Sequence, residues 1–210
     1  MTAAMNIVEL PLFPLDTVLF PDGLLPLRIF EVRYLDMVRR CQQSQTPFGV
    51  VSLTHGAQVL RAGAPEEGFH RIGTLARLID VQNPQPGLLQ IRCQGEQRFT
   101  VHRSEKLKHG LWVADAELMP GDAQVAIPED LQGPVRMLRR LLQQLKEKQV
   151  PADQHPMLPP FQFDDCGWVA NRWCEMLPLA PDMRQQLMTL DNPLVRLELV
   201  NDLLERHGWT

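Results

Sequence analysis

The sequence predicts an α+β protein in which a small β-barrel of about six strands is followed by an α-helical bundle lobe. Short apolar runs broken by proline and glycine fill residues 7–118, whereas leucines at helical spacing dominate from Glu129 onward. The 210-residue chain carries 18 prolines spread along its length, which favours many short strands and corners. We therefore expect a barrel lobe with one inserted helix at residues 1–120 and a helical lobe at 121–210.

The stretch from Leu10 to Met37 contains the change from strand to helix. Its prolines fix φ and lack a backbone donor, so no helix can form before Pro26. After Pro26, apolar residues recur every three or four positions between charged ones, which predicts an amphipathic helix from Phe30 to Gln43. The Asp22-Gly23 pair is expected to form a turn between the preceding strands.

The other strands are predicted from apolar runs bounded by turn residues. A closed or nearly closed barrel would dispose of their exposed edges. The polar segment from Thr54 to Gly68 is expected to be a loop. The predicted strands are Ile7–Phe20 as one or two strands, Gly23–Ile29, Phe48–Leu53, Ile72–Val81, Leu88–Cys93, Gln97–Val101 and Leu111–Leu118.

The second half is predicted to contain four helices. The first carries a leucine face that starts at Leu131, and a proline-rich linker follows it. Asp165 is placed to cap the next helix, and Asn192-Pro193 opens the last one. The last three helices are predicted at Cys166–Leu177, at Asp182–Leu190 and after Pro193.

The motif LPLFPLDTVLFPDGLLPLRIFEVRY, from Leu10 to Tyr34, resembles the signature of the Lon protease amino-terminal, or substrate-binding, domain. The form it resembles is the stand-alone one of small bacterial proteins, with a PUA-like barrel. GTLARLIDV (73–81), GEQRFTV (95–101) and the leucine-rich tail (168–204) continue the resemblance over nearly the whole chain. Relatives usually carry glycine at the position of Asp22 and often proline at that of Val32.

The resemblance implies a module that holds polypeptide segments, often unfolded or degron-bearing ones, without making or breaking a bond. Such a site should be a concave apolar surface with polar groups at its rim. Aromatic and charged residues at the presumed lobe junction are the candidates, although the aromatic ones could instead pack the lobes together. The candidate peptide-binding residues are Arg28, Phe30, Glu31, Arg33 and Tyr34, with Trp168 and Arg172 facing them from the tail.

No catalytic residue, cofactor or metal site is expected. The sequence contains no glycine-rich phosphate loop, no GxSxG elbow and no HExxH motif. Its six histidines are dispersed, and its four cysteines are interpreted as small buried thiols in a reducing compartment. A small cysteine or histidine hydrolase, with Cys41 as a candidate nucleophile, remains an open alternative.

The expected partners are polypeptides. A formal net charge of −4 argues against nucleic acid, but the basic face of the helix at 133–148 and the PUA-like resemblance leave RNA binding as an alternative. No apolar run is long enough to span a membrane, and the amino terminus lacks a basic, signal-like start, so a cytoplasmic location is expected. The patterns do not indicate an oligomeric state.

Overall fold

The computed structural model describes residues 7–58, 67–151 and 154–209. The chain divides into two compact units, Met1–Gly121 and Asp122–Thr210. Among its described residues, the first unit combines seven strands with one helix, and the described part of the second is helical. None of the described helices is both long and apolar enough to cross a membrane. The predicted α+β class, with a strand-rich part followed by a helical part, is confirmed.

In the first unit, one sheet closes on itself. The strands are β1 (Ile7–Leu15), β2 (Leu24–Ile29), β3 (Phe48–His55), β4 (Gly68–Phe69), β5 (Ile72–Gln85), β6 (Leu88–Lys106) and β7 (Trp112–Leu118), and α1 spans Val32–Ser44. The order β1-β7-β6-β5-β3 is antiparallel throughout, and a parallel pairing of β3 with β1 completes the ring. β2 pairs with β6, and β4 with β3.

The prolines of β1 occupy positions where the strand has one paired neighbour. Residues 7–12 pair with β7 and residues 12–15 pair with β3. Pro11 lies in the first part, opposite Val113, and Pro14 lies in the second, opposite Val51. Because each proline has an unpaired side, a missing N–H that faces that side interrupts no ladder hydrogen bond. This explains how a proline-rich segment forms a barrel strand.

Two predicted strands, Leu88–Cys93 and Gln97–Val101, are a single 19-residue strand, β6. The prediction was wrong because the polar residues around Gly95 resemble a break, whereas β6 continues through them while it exchanges partners. Its first part pairs with β2, and its second part pairs with β7. A Cβ at Gly95 would lie 2.1 Å from the Phe20 carbonyl oxygen, so glycine is required for this close approach.

The predicted Asp22-Gly23 turn is present, and Asp22 adopts a left-handed conformation with φ of 60°. Its N–H donates to the Gly95 carbonyl oxygen at 2.9 Å, and the Gly23 N–H donates to that of Phe20. Glycine enters the left-handed region without steric cost, and aspartate is one of the few other residues that tolerate it. Glycine at this position would therefore suit the backbone, and Asp22 is an acceptable alternative.

The predicted loop at Thr54–Gly68 falls largely outside the described residues, which stop at Gln58 and resume at Glu67. β3 extends to His55, and Gly68 already belongs to β4, so these described residues are in strands, whereas residues 56–58 and 67 are not. The start of α1 also differs slightly, since the helix begins at Val32 and not at Phe30.

In the described part of the second unit, four α-helices follow a short 3₁₀ turn at Glu129–Leu131. They are α2 (Gln132–Glu147), α3 (Cys166–Met176), α4 (Pro181–Thr189) and α5 (Pro193–Arg206). Asp165 caps α3 as predicted, because its Oδ2 accepts a hydrogen bond from the Trp168 N–H at 2.8 Å. Asn192 caps α5 in the same way, through the Leu194 N–H at 3.0 Å.

A buried arginine joins several elements of the second unit. Arg196 on α5 is 1% exposed and donates to the Leu187 carbonyl oxygen at 2.9 Å and to the Asn171 side chain at 3.0 Å. Its guanidinium also forms an ion pair with Asp122 at 2.5 Å and donates to the Leu190 carbonyl oxygen. Through these contacts, Arg196 on α5 is connected to α3, to the C-terminal end of α4 and to Asp122, the first residue of the unit.

Candidate functional site

The junction between β2 and α1 carries an exposed apolar surface. Phe30 is 56% exposed and Val32 is 71% exposed, and both follow the buried Ile29. Arg28 at the end of β2 is exposed as well. Large apolar side chains side by side in water, with a charged neighbour, are typical of interaction surfaces. Arg28, Phe30 and Val32 are called the Phe30 patch below.

Arg33 anchors the first turn of α1 beneath the Phe30 patch. It is 5% exposed, and its Nη1 donates to the Gly110 carbonyl oxygen at 2.7 Å, in the turn between β6 and β7. Its Nη2 lies 3.1 Å from a carboxylate oxygen of Glu31. The guanidinium carbon lies 4.4 Å from the centre of the Tyr34 ring. These contacts fix the direction in which the helix leaves the strand.

Tyr34 is buried in the core of the first unit. Its ring stacks on Phe13 of β1 with the ring centres 3.9 Å apart. Burial raises the pKa of the Tyr34 hydroxyl well above its ordinary value, so the group stays protonated. Arg33 and Tyr34 were predicted as peptide-binding residues. In this geometry, Arg28 and Phe30 are exposed, whereas Arg33 and Tyr34 are buried.

A second carboxylate extends the charged cluster around Arg33. The Glu67 side chain is buried, and its carboxylate lies 3.5 Å from Arg33 Nη1 and 2.5 Å from Lys106 Nζ. Burial alone would raise the pKa of Glu67, but the Lys106 hydrogen bond and the nearby positive charges outweigh it and lower the pKa. Lys106 Nζ also lies 5.4 Å from the centre of the Trp112 ring. The sequence analysis missed this cluster.

Trp168 and Arg172, the candidates from the tail, lie on α3 in the second unit and are both buried. The Trp168 ring contacts Phe163 edge to face with the ring centres 5.4 Å apart. Arg172 Nε lies 3.2 Å from a Glu175 carboxylate oxygen, and its guanidinium lies 5.7 Å from the centre of the Trp168 ring. That these residues face the Phe30 patch stays a prediction.

A groove lies beside the Phe30 patch on the face that β2, β5 and β6 share. It has a volume of about 440 Å³ and is lined by Pro26, Leu27, Arg28, Asp80, Gln82, Gln90, Ile91 and Arg92. The sequence analysis missed this groove as well, because its lining comes from three segments that only strand pairing brings together. Arg28 belongs to both the patch and the groove.

The cysteines are poor nucleophiles. All four are buried free thiols, as predicted. Burial raises the pKa of Cys41 above its ordinary value and that of Cys93 to about 12. It also raises the pKa of Cys166 to about 11 and that of Cys174 to about 12. A protonated thiol lacks the reactivity of a thiolate, which disfavours the cysteine hydrolase alternative. Among the described residues, no group of three His, Cys, Asp or Glu side chains is placed to hold a metal ion.

Comparisons with solved structures find the same fold in two amino-terminal domains. A crystal structure of a Lon N-terminal domain protein from Xanthomonas campestris shares 31% identity, covers 93% of this chain and 98% of its own, and has a TM-score of 0.70. The N-terminal domain of the Mycobacterium avium complex Lon protease shares 15% identity and a TM-score of 0.58, with coverage of 95% and 100%. The latter likeness shows the fold alone. The comparison with curated proteins finds no match.

The family model of the ATP-dependent protease La (LON) substrate-binding domain matches residues 9–206, which include every strand of the barrel from β2 to β7 and all the described helices. The chain therefore belongs to the LON substrate-binding domain family.

Proposed function

We propose that the chain is a non-catalytic module that binds polypeptide segments, unfolded or degron-bearing, through the Phe30 patch. The observation that carries the proposal is the exposure of Phe30 and Val32 beside Arg28, on a junction that buried residues hold in place. The name of the family, a substrate-binding domain, and the name of the Xanthomonas relative support the same function class.

The physical basis is the apolar area that a bound segment would cover. Covering one large apolar side chain contributes about 1.5–3 kcal/mol. A pre-formed surface loses little conformational entropy on binding. Arg33 supplies that pre-organisation, since its bonds to Gly110 and Glu31 hold the helix start that carries Val32. Trp168 and Arg172 belong to the proposal as a second contact region from the helical unit.

The test is binding of a permanently unfolded polypeptide, reduced and carboxymethylated lactalbumin, measured by fluorescence anisotropy. Phe30→Ser is expected to weaken binding about tenfold, because the variant loses the largest apolar surface of the patch. Ile7→Ser is the matched control, since Ile7 is exposed to a similar extent, at 52%, but belongs to β1. Unchanged binding by Phe30→Ser, or equal losses in the two variants, would contradict the proposal.

Substitution of Arg33 or Tyr34 is less informative for binding, because both side chains are buried and their removal perturbs the core. The RNA-binding alternative makes a different prediction. It requires affinity for single-stranded RNA that falls steeply as the salt concentration rises. Such affinity, together with no binding of the unfolded polypeptide, would replace the proposed function by that alternative.

A further inference from the structure

Strand β2 has one paired edge and one open edge within the described residues. Its register with β6 runs from Leu24 opposite Gln94 to Ile29 opposite Leu89. No described residue pairs with the other edge of β2. An open edge presents unpaired backbone donors and acceptors, which can serve as a template for another strand.

The groups on the open edge follow from the hydrogen bonds at the start of the ladder. The Gly95 N–H donates to the Gly23 carbonyl oxygen at 2.8 Å, so residues 23 and 95 form a hydrogen-bonded pair. Bonded and non-bonded pairs alternate along an antiparallel ladder. The N–H and carbonyl groups of Leu24 and Arg28, and the carbonyl of Pro26, therefore point away from β6. Pro26, which has no N–H, sits where no bond to β6 is required.

The side chains next to this edge carry unbalanced positive charge. In the β2–β6 register, Leu24, Pro26 and Arg28 share a face with Arg92 of β6. Arg28 is exposed and makes no ion pair with a described residue. Nη2 of Arg92 is buried without a hydrogen-bond acceptor among the described residues. The groove contains one carboxylate, that of Asp80, which accepts a hydrogen bond from Gln82 at 2.8 Å.

We propose that the open edge of β2 binds an extended polypeptide as an additional strand and that the groove prefers an acidic side chain on it. The backbone of the bound segment would pair with Leu24, Pro26 and Arg28, and its carboxylate would pair with Arg28 and Arg92. This inference rests on the proposed function and specifies the conformation and the charge of the segment that is bound.

A second copy of this chain fits the edge less well than a peptide does. Symmetric antiparallel pairing of two β2 strands about Pro26 would place one proline opposite the other, and neither could donate a hydrogen bond. A residue of another polypeptide opposite Pro26 still donates its own N–H to the Pro26 carbonyl oxygen. Two Arg28 side chains would also add like charges to one interface, whereas an acidic segment neutralises them.

The test uses fluorescein-labelled nine-residue peptides of alternating valine and threonine with glutamate or lysine at the centre. The full chain is expected to bind the glutamate peptide about tenfold more tightly than the lysine peptide. Arg28→Gln and Arg92→Gln should each reduce this preference to about threefold or less. Arg103→Gln, which removes an exposed arginine from the same strand as Arg92, is the matched control and should leave the preference intact. A preference that is absent, or that survives Arg28→Gln unchanged, would overturn the proposed charge selection.

Backbone pairing is tested by N-methylation of the glutamate peptide. Methyl groups on alternate residues that face β2 remove donors, whereas methyl groups on the intervening residues point to solvent. One alternating set is therefore expected to weaken binding about tenfold or more, and the other set less than twofold. Equal effects of the two sets would overturn strand addition.

Binding of the unfolded lactalbumin and its loss in Phe30→Ser are measured in parallel. Strand addition is wrong and the proposed function stands if the lactalbumin is bound, Phe30→Ser weakens that binding, and the two N-methylated sets weaken peptide binding equally. If the lactalbumin is not bound at all, the proposed function itself fails. A dimer in sedimentation equilibrium that excludes the glutamate peptide would assign the β2 edge to a second copy and overturn the inference.

Discussion

At the scale of single residues, charge in the sequence is a poor guide to exposure in this protein. Arg33 lies in a helix that was predicted to be amphipathic and was a candidate for peptide binding, yet it is buried against Gly110 and Tyr34. A buried charge needs partners that compensate for the loss of water, and Glu31 and Glu67 provide them. The result is that the neighbouring apolar residues, Phe30 and Val32, face the solvent.

Glu67→Gln is expected to lower the free energy of unfolding by about 2 kcal/mol near neutral pH, because it removes the charge that pairs with Lys106 and Arg33. The pKa of Glu67 is lower in the folded protein than its ordinary value of 4.5. Its contribution is therefore complete above that value and is lost as the pH falls through the lowered pKa. Urea unfolding from pH 7 to pH 3 should show the two proteins converging in acid.

Glu96→Gln is the control for this measurement. Glu96 forms an ion pair with Arg77 at 2.8 Å, but both side chains are largely exposed. Exposed pairs of this kind contribute about 0–1 kcal/mol. If the difference in free energy of unfolding between wild type and Glu67→Gln stays constant down to pH 3, the carboxylate does not stabilise the fold through its charge.

At the scale of elements, the first residue of α1 is a position where proline fits. Val32 begins the helix, and the residue before it, Glu31, has φ of −76° and ψ of 131°, the extended conformation that proline requires of its predecessor. The N–H of the first helical residue has no partner within the helix. The proline that relatives often carry here is therefore compatible with the backbone of this chain.

Val32→Pro is expected to raise the free energy of unfolding by about 0.5 kcal/mol, because proline reduces the freedom of the unfolded chain without losing a helix bond. Val32→Ala should change it by less, since Val32 is exposed and contributes little packing. Chemical unfolding of the three proteins measures both effects. Destabilisation by proline would mean that the Val32 N–H has a partner, or that the helix begins later than residue 32.

At the scale of the whole molecule, the two units differ in what holds each of them together. The first closes a ring of strands, and the second joins helices through the buried Arg196. The tryptophans divide in the same way, with Trp112 in the first unit and the other three, at positions 168, 173 and 209, in the second. Tryptophan fluorescence therefore reports mainly on the second unit.

Arg196→Met is expected to destabilise the second unit by about 3 kcal/mol, because the Asp122 carboxylate and two backbone carbonyls lose a buried donor. Urea unfolding followed by tryptophan fluorescence should shift to a lower midpoint in the variant. Arg206→Met, which removes an exposed arginine from the last turn of α5, should leave the midpoint nearly unchanged. Equal midpoints for Arg196→Met and wild type would contradict the structural role of Arg196.

Features that depend on near neighbours in the chain could be predicted from the sequence. Asp165 caps a helix through the N–H three residues later, and Asp22-Gly23 forms a turn, so both could be predicted from a few residues. The periodic faces of the helices and the fold class followed for the same reason. The resemblance carried by residues 10–34 led to the family that the comparisons confirm.

Contacts between residues far apart in the chain became visible only in the folded structure. Glu67 and Lys106 are 39 positions apart, and no local pattern marks them as partners. The burial of Tyr34, the continuity of β6 through Gly95 and the groove beside β2 likewise depend on strand pairing. A hydrogen bond between neighbours is encoded in a few adjacent residues, whereas a buried contact depends on how the whole unit packs. For this reason the sequence could not show which binding candidates are exposed and which are buried.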